Sequence, residues 1–160
     1  GLAAFARKTI EAGASGIFFA AVGAEPTMLS QEEYRRFVRP HDISVLSSVS
    51  DAPFNILHVH GTGVYLDLFL DYPKSALNWP SHQSAYPMAK VRKMTDRCLV
   101  AGIDERGPIA QGKMRGTITQ IADALSHAGR TNFMFGPECA IPPQTPPDVI
   151  VAIRDRIAQM

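Results

Sequence analysis

The chain reads as an α/β protein built on a parallel sheet, because three features of its sequence agree. Short apolar runs alternate with helical stretches, capping residues and prolines mark the joints, and the chemically interesting residues fall just after the apolar runs. Strands separated by helices imply a parallel sheet, either open or closed into a barrel. In both arrangements a site lies at the carboxyl ends of the strands.

Each element has its own local reason. Residues 1–12 carry apolar side chains at Leu2, Phe5, Ala6 and Ile10, the spacing of an amphipathic helix with no cap before it. That uncapped start predicts that an amino-terminal portion precedes Gly1. Residues 16–21 form the first apolar run and predict a strand. Ser30 with Glu33 fits a capping box, so a helix should start there, and Pro40 should end or kink it. Residues 54–60 predict the second strand, 65–70 a short helix, 76–79 a third strand and 85–94 a helix. Residues 98–103 predict the fourth strand, with Cys98 at its start. Thr117 and Gln120 fit a second capping box for a helix over 117–128, and Gly129 falls where a left-handed carboxy-terminal cap belongs. A fifth strand follows at 132–135, and Pro146 and Pro147 suit the first turn of a closing helix over 147–159. No repeat or linker interrupts this order, so residues 1–160 read as a single domain.

Composition narrows the function. At 160 residues, 46% hydrophobic, the chain can bury one domain-sized core, and its net charge of +1, with lysines and arginines scattered, offers no footprint for nucleic acid or an anionic membrane. No apolar run is long enough to span a bilayer, and the start lacks the pattern of a secretion signal. The expectation is a soluble, cytoplasmic protein that acts on a small molecule. Two cysteines, Cys98 and Cys139, make no disulfide framework.

Two segments carry the chemistry: Phe54–Gly61 (FNILHVHG) and Gly136–Pro147 (GPECAIPPQTPP). Residues two apart on a strand share a face, so His58 and His60 can converge while Leu57 and Val59 pack the other way. A thiolate from Cys139 would complete three metal ligands and leave a fourth position open, the pattern of a catalytic zinc site. A plainer reading stands beside it: imidazoles bonded to backbone carbonyls, and a cysteine serving as a small apolar filler. Glu138 reads as a fourth ligand, as a general base, or as a charge facing water. Trp79 and Tyr86 either line a pocket or pack between sheet and helices. Asp104 either steers a substrate or caps the next turn. His41, His82 and His127 lie in helical or loop contexts and read as surface residues.

These residues also carry a family resemblance. The succession AGASGIFFAAVGA, SQEEYRRFVRP, FNILHVHG, LNWP, GIDERGPIAQG and GPECAIPPQTPPDVIVAI is similar, nearly end to end, to the carboxy-terminal half of the uroporphyrinogen decarboxylase superfamily. The resemblance implies a (β/α)8 barrel of the TIM type, with this chain holding roughly the last five strand–helix units. The superfamily's decarboxylases carry a histidine in a Gly-His-Gly step where Cys139 stands, and a serine in a stretch that here reads Phe18-Phe19-Ala20-Ala21-Val22-Gly23. Its cobamide-dependent methyltransferases instead bind zinc through a His-x-Cys pair and a later cysteine before Ile-Pro-Pro. Cys139-Ala-Ile-Pro-Pro resembles that later motif closely. His58-Val-His60 matches the pair only in part, since histidine replaces its cysteine.

What the resemblance implies is metal-assisted methyl transfer to or from a thiol or corrinoid. The metal would be zinc on His58, His60 and Cys139, with Glu138 catalytic and Trp79 and Asp104 binding substrate. A corrinoid protein and a second copy of the chain are the partners to expect. Two alternatives remain: uroporphyrinogen III decarboxylation, as a carboxy-lyase of porphyrin biosynthesis, and a non-catalytic, ligand-binding barrel fragment. A His-x-His pair is also found in barrel hydrolases that use metals, but there it lies on the first strand with an aspartate from the last, and here the last strand ends in Cys139.

Overall fold

The computed structural model describes all 160 residues. Five parallel strands form one sheet in the order in which they occur along the chain: β1 (Phe18–Ala21), β2 (Ile56–Val59), β3 (Ala76–Asn78), β4 (Leu99–Ile103) and β5 (Phe133–Pro137). Helices α1 (Leu2–Glu11), α2 (Gln31–Glu33), α3 (Arg39–Ser47), α4 (Met88–Met94), α5 (Met114–Ala128) and α6 (Pro147–Ile157) occupy the connections. Sequential strand order without reversal is the winding of a (β/α) barrel wall rather than of a doubly wound sheet, which reverses at a switch point. The fold is α/β, with the topology of a partial barrel.

Strand alternation sorts the side chains into two environments. Leu57, Val59, Leu77, Trp79, Leu99 and Ala101 point toward the helices and join one continuous core of 19 buried residues. The residues between them form a register row, in which Ala20 pairs with His58, His58 with Asn78, Asn78 with Val100, and Val100 with Met134. Phe18, one strand pitch before Ala20, is 61% exposed on that same face. The carboxyl end of this row is where the histidines emerge.

Most predicted elements form, with bounds that differ by a few residues. The Ser30–Glu33 capping box is present in both directions, the Glu33 amide donating to the Ser30 hydroxyl and the Ser30 amide to the Glu33 carboxylate. Three local expectations are corrected. Pro40 does not end its helix. Helical backbone runs from Gln31 to Ser47, and a π-turn over Tyr34–Val38 widens the coil just ahead of the proline, whose missing N–H is then accommodated at the start of α3. Thr117 caps nothing. The fourth long helix, α5, begins one turn earlier, and Thr117 is a fully buried interior residue whose hydroxyl donates back to the Lys113 carbonyl. Gly129 does have a positive φ of 80°, but its ψ of −179° makes it an extended exit rather than a left-handed cap.

Trp79 belongs to the core and not to a pocket. It is fully buried among the helix-facing residues, and its indole N–H donates to the Tyr86 carbonyl at 2.7 Å. Trp79→Ala should therefore cost about 3–5 kcal/mol of stability. Urea unfolding followed by far-UV circular dichroism will measure it; a loss under 1 kcal/mol would return the indole to the surface.

A second buried feature gives a pH signature. The Tyr34 hydroxyl donates to Asp42 Oδ2 at 2.5 Å and the Tyr72 hydroxyl to the same oxygen at 3.2 Å. Burial raises the Asp42 carboxyl above its ordinary value, more than the two tyrosine hydrogen bonds and nearby His41 lower it. A carboxyl raised in the folded state binds protons more readily there than in the unfolded chain. Its contribution is full below the ordinary aspartate value and is lost as pH rises through the folded one. Asp42→Asn retains an acceptor for both tyrosines and cannot ionise. Its stability relative to the natural protein should rise between pH 4 and pH 7, as chemical unfolding at the two pH values will show.

Candidate metal centre

The centre is assembled from the ends of two strands that are distant in the sequence. His58 is the third residue of β2, and His60 follows the strand by one residue on the same face. Cys139 lies just beyond β5. The His58 Nε2 and His60 Nδ1 atoms are 3.3 Å apart, and the Cys139 sulfur is 3.6 Å from His60 Nδ1. All three donor atoms lie within 4.8 Å of one another.

Those separations can be set against metal geometry. Zinc–nitrogen bonds of about 2.05 Å and zinc–sulfur bonds of about 2.3 Å, opened to a tetrahedral angle, place two nitrogens about 3.3 Å apart and a nitrogen and a sulfur about 3.6 Å apart. Two of the three edges match these values, and the third, between His58 Nε2 and the Cys139 sulfur, is within 4.8 Å. The donor set of two imidazoles and one thiolate fits zinc in ligand type as well as in spacing.

Asn78 decides which nitrogen of His58 faces the centre. Its amide nitrogen donates to the Val100 carbonyl at 2.6 Å and to the Pro137 carbonyl at 3.0 Å, so its oxygen must be the atom turned toward the imidazole. That oxygen lies 2.6 Å from His58 Nδ1. The Nδ1 atom therefore carries the proton and donates it, which leaves Nε2 with a free lone pair aimed at His60 and Cys139. Burial lowers the His58 pKa, more than the hydrogen bond to Asn78 raises it, and the neighbouring His60 lowers it further. A neutral ring is the ligating form.

The surrounding loops are held by close approaches. Gly61, at φ 125°, turns the chain directly after His60, and a Cβ there would fall 2.8 Å from the Glu25 carboxylate. Glu25 in turn accepts the Thr62 amide at 3.1 Å, which ties the loop after β2 to the loop after β1. Gly136 allows β5 to close on β4, since a Cβ would sit 2.7 Å from a Val100 methyl.

Glu138 is fully buried and well supplied with donors. It accepts the Ser81 hydroxyl, the His82 backbone amide at 3.0 Å, and a hydrogen bond with His82 Nδ1 at 2.5 Å. That last bond raises the His82 pKa, against the burial that lowers it. The pair ties the loop after β3 to the residue beside Cys139. His82 is exposed, as expected, but it is not free: the sequence carried no sign of its pairing with Glu138 beyond its place just past the third strand. His41 and His127 are exposed, as expected.

The three donor atoms stand on the boundary between two cavities. One, of about 580 Å³, is walled largely by apolar side chains, among them Phe18, Val100, Pro137 and Ile141. The other, of about 80 Å³, is polar and contains Gln83, Glu105, Arg106 and Glu138. Asp104 lines neither: it accepts the Arg106 amide at 3.0 Å and the Gln83 side chain at 3.3 Å, and so shapes the turn after β4. Its neighbour Glu105 faces the small cavity instead, a residue that sequence reasoning passed over because the apolar run ahead of it fixes no phase for the residues of a turn.

None of the curated proteins matches this chain. A family model does: the one described as uroporphyrinogen decarboxylase (URO-D) matches residues 1–160. With five parallel strands wound in barrel order and a match over every residue, the chain belongs to the uroporphyrinogen decarboxylase family.

Proposed function

We propose that this chain carries a zinc centre for methyl transfer to or from a thiol or a corrinoid. The observation that carries the reading is the His58, His60 and Cys139 triangle, two of whose three edges match those of a tetrahedral zinc site. Zinc held by two imidazoles and one thiolate would leave a fourth position for substrate and lower the pKa of a thiol placed there.

The protein's own residues prepare that position. Asn78 holds the His58 tautomer. The Phe18 ring stacks on the His58 ring, with centroids 5.5 Å apart and planes 29° apart, and covers its apolar side. Val100, Pro137 and Ile141 give the larger cavity an apolar wall, against which an apolar methyl carrier or acceptor would lie. Glu138, braced by Ser81 and His82, fixes the end of β5 and so the place of the Cys139 sulfur.

The purified chain should contain close to one zinc per molecule by elemental analysis, and Cys139→Ser or His60→Ala should lose it. Asn78→Ala should keep the fold and bind zinc about 10–100-fold more weakly, as the loss of an outer hydrogen-bond partner does elsewhere. A chain free of stoichiometric metal, or variants that bind it as well as the natural protein, would remove the basis of the reading.

A further inference from the structure

Glu105 is a buried carboxylate without a proper partner. It is 5% exposed, its Oε2 has no hydrogen-bond partner, and Oε1 meets only the Arg106 guanidinium at 3.7 Å, a group that is itself 77% exposed. It opens onto the 80 Å³ cavity that also contains His58, His60 and Cys139. Leaving a carboxylate oxygen buried and unpaired is costly, and nothing in the packing of the turn after β4 requires it.

The second carboxylate of that cavity has the opposite surroundings. Glu138 accepts three hydrogen bonds and is committed to holding Ser81 and His82. Glu105 has no such commitment. Burial raises its pKa, and the nearby charges of Asp104 and Glu138 raise it further, against the Arg106 charge that lowers it. A base lifted in this way is better matched to a weak acid than an ordinary carboxylate is.

We infer that Glu105 is the acid–base residue of this centre, its carboxylate taking the proton of a thiol that enters beside His58, His60 and Cys139. The inference rests on the reading of those three side chains as metal ligands. In the step, the S–H bond breaks, the electron pair stays on sulfur and the proton bonds to the Glu105 carboxylate, so that a thiol and a carboxylate become a thiolate and a carboxylic acid. No oxidant or reductant takes part. When the sulfur leaves as a thiol, the same carboxylate returns the proton.

Proton counting tests this without an activity assay. The chain is loaded with cobalt(II), 2-mercaptoethanol is titrated in, and thiolate binding is followed by its charge-transfer absorption. Calorimetry in two buffers of different ionisation enthalpy gives the protons released. The natural protein should release close to none per thiol bound, whereas E105Q should release about one and should bind thiol tenfold more tightly for each unit of rising pH. E105D, which keeps a carboxylate, should resemble the natural protein. Equal release by the natural protein and E105Q overturns the assignment, and so does a full proton released by the natural protein, whatever the variants do. Failure of the natural protein to take up cobalt overturns the metal reading and this inference together, whereas cobalt uptake with unchanged proton release overturns this inference alone.

Discussion

The centre depends on one side-chain amide. Asn78 spends both of its N–H groups on the carbonyls of Val100 and Pro137, which belong to β4 and β5, and so presents only its oxygen to His58 on β2. A single residue thereby ties three strands together and sets the protonation of a ring that lies 4% exposed. An aspartate there would accept from His58 equally well but would leave two buried carbonyls without donors. A leucine would fill the space and leave the imidazole free to turn. The asparagine at this position therefore does structural and chemical work at once, and the register row from Ala20 to Met134 is what carries it to the right depth.

Much of this was legible in the sequence because the period of a strand is short and strict. The alternation in FNILHVHG separates Leu57 and Val59 from His58 and His60, and the structure keeps that separation. The Ser30–Glu33 box was readable because its two partners are three residues apart and see only each other. Thr117 and Gln120 have the same spacing and failed, since the helix already had a turn before them and its buried face claimed the threonine. Pro40 misled for a similar reason: local rules describe what a proline removes, and the π-turn that compensates is a property of the preceding five residues together.

The site shows the same division. The two imidazoles and the sulfur could be read as candidates from spacing and from a family likeness, yet nothing in the order of residues shows that Asp104 bends the turn while Glu105 enters the cavity. Neither does it show that Glu138 is spoken for by Ser81 and His82, because that pairing joins residues 56 and 57 positions apart. Trp79, next to Asn78 in sequence, points to the opposite side of the sheet and serves the core. Strand phase explains each of these outcomes once the register is known, and the register comes from pairing between strands.

The bond between Glu138 and Cys139 has a consequence of its own. On one side of it, a carboxylate is clamped to Ser81 and His82 in a loop that reaches the outer surface; on the other, a sulfur meets His60 at the inner mouth. One peptide unit thus joins the residue that meets His60 to the residue that holds an imidazole about one-third in contact with solvent. The outer loop and the inner mouth are in this sense held in one frame.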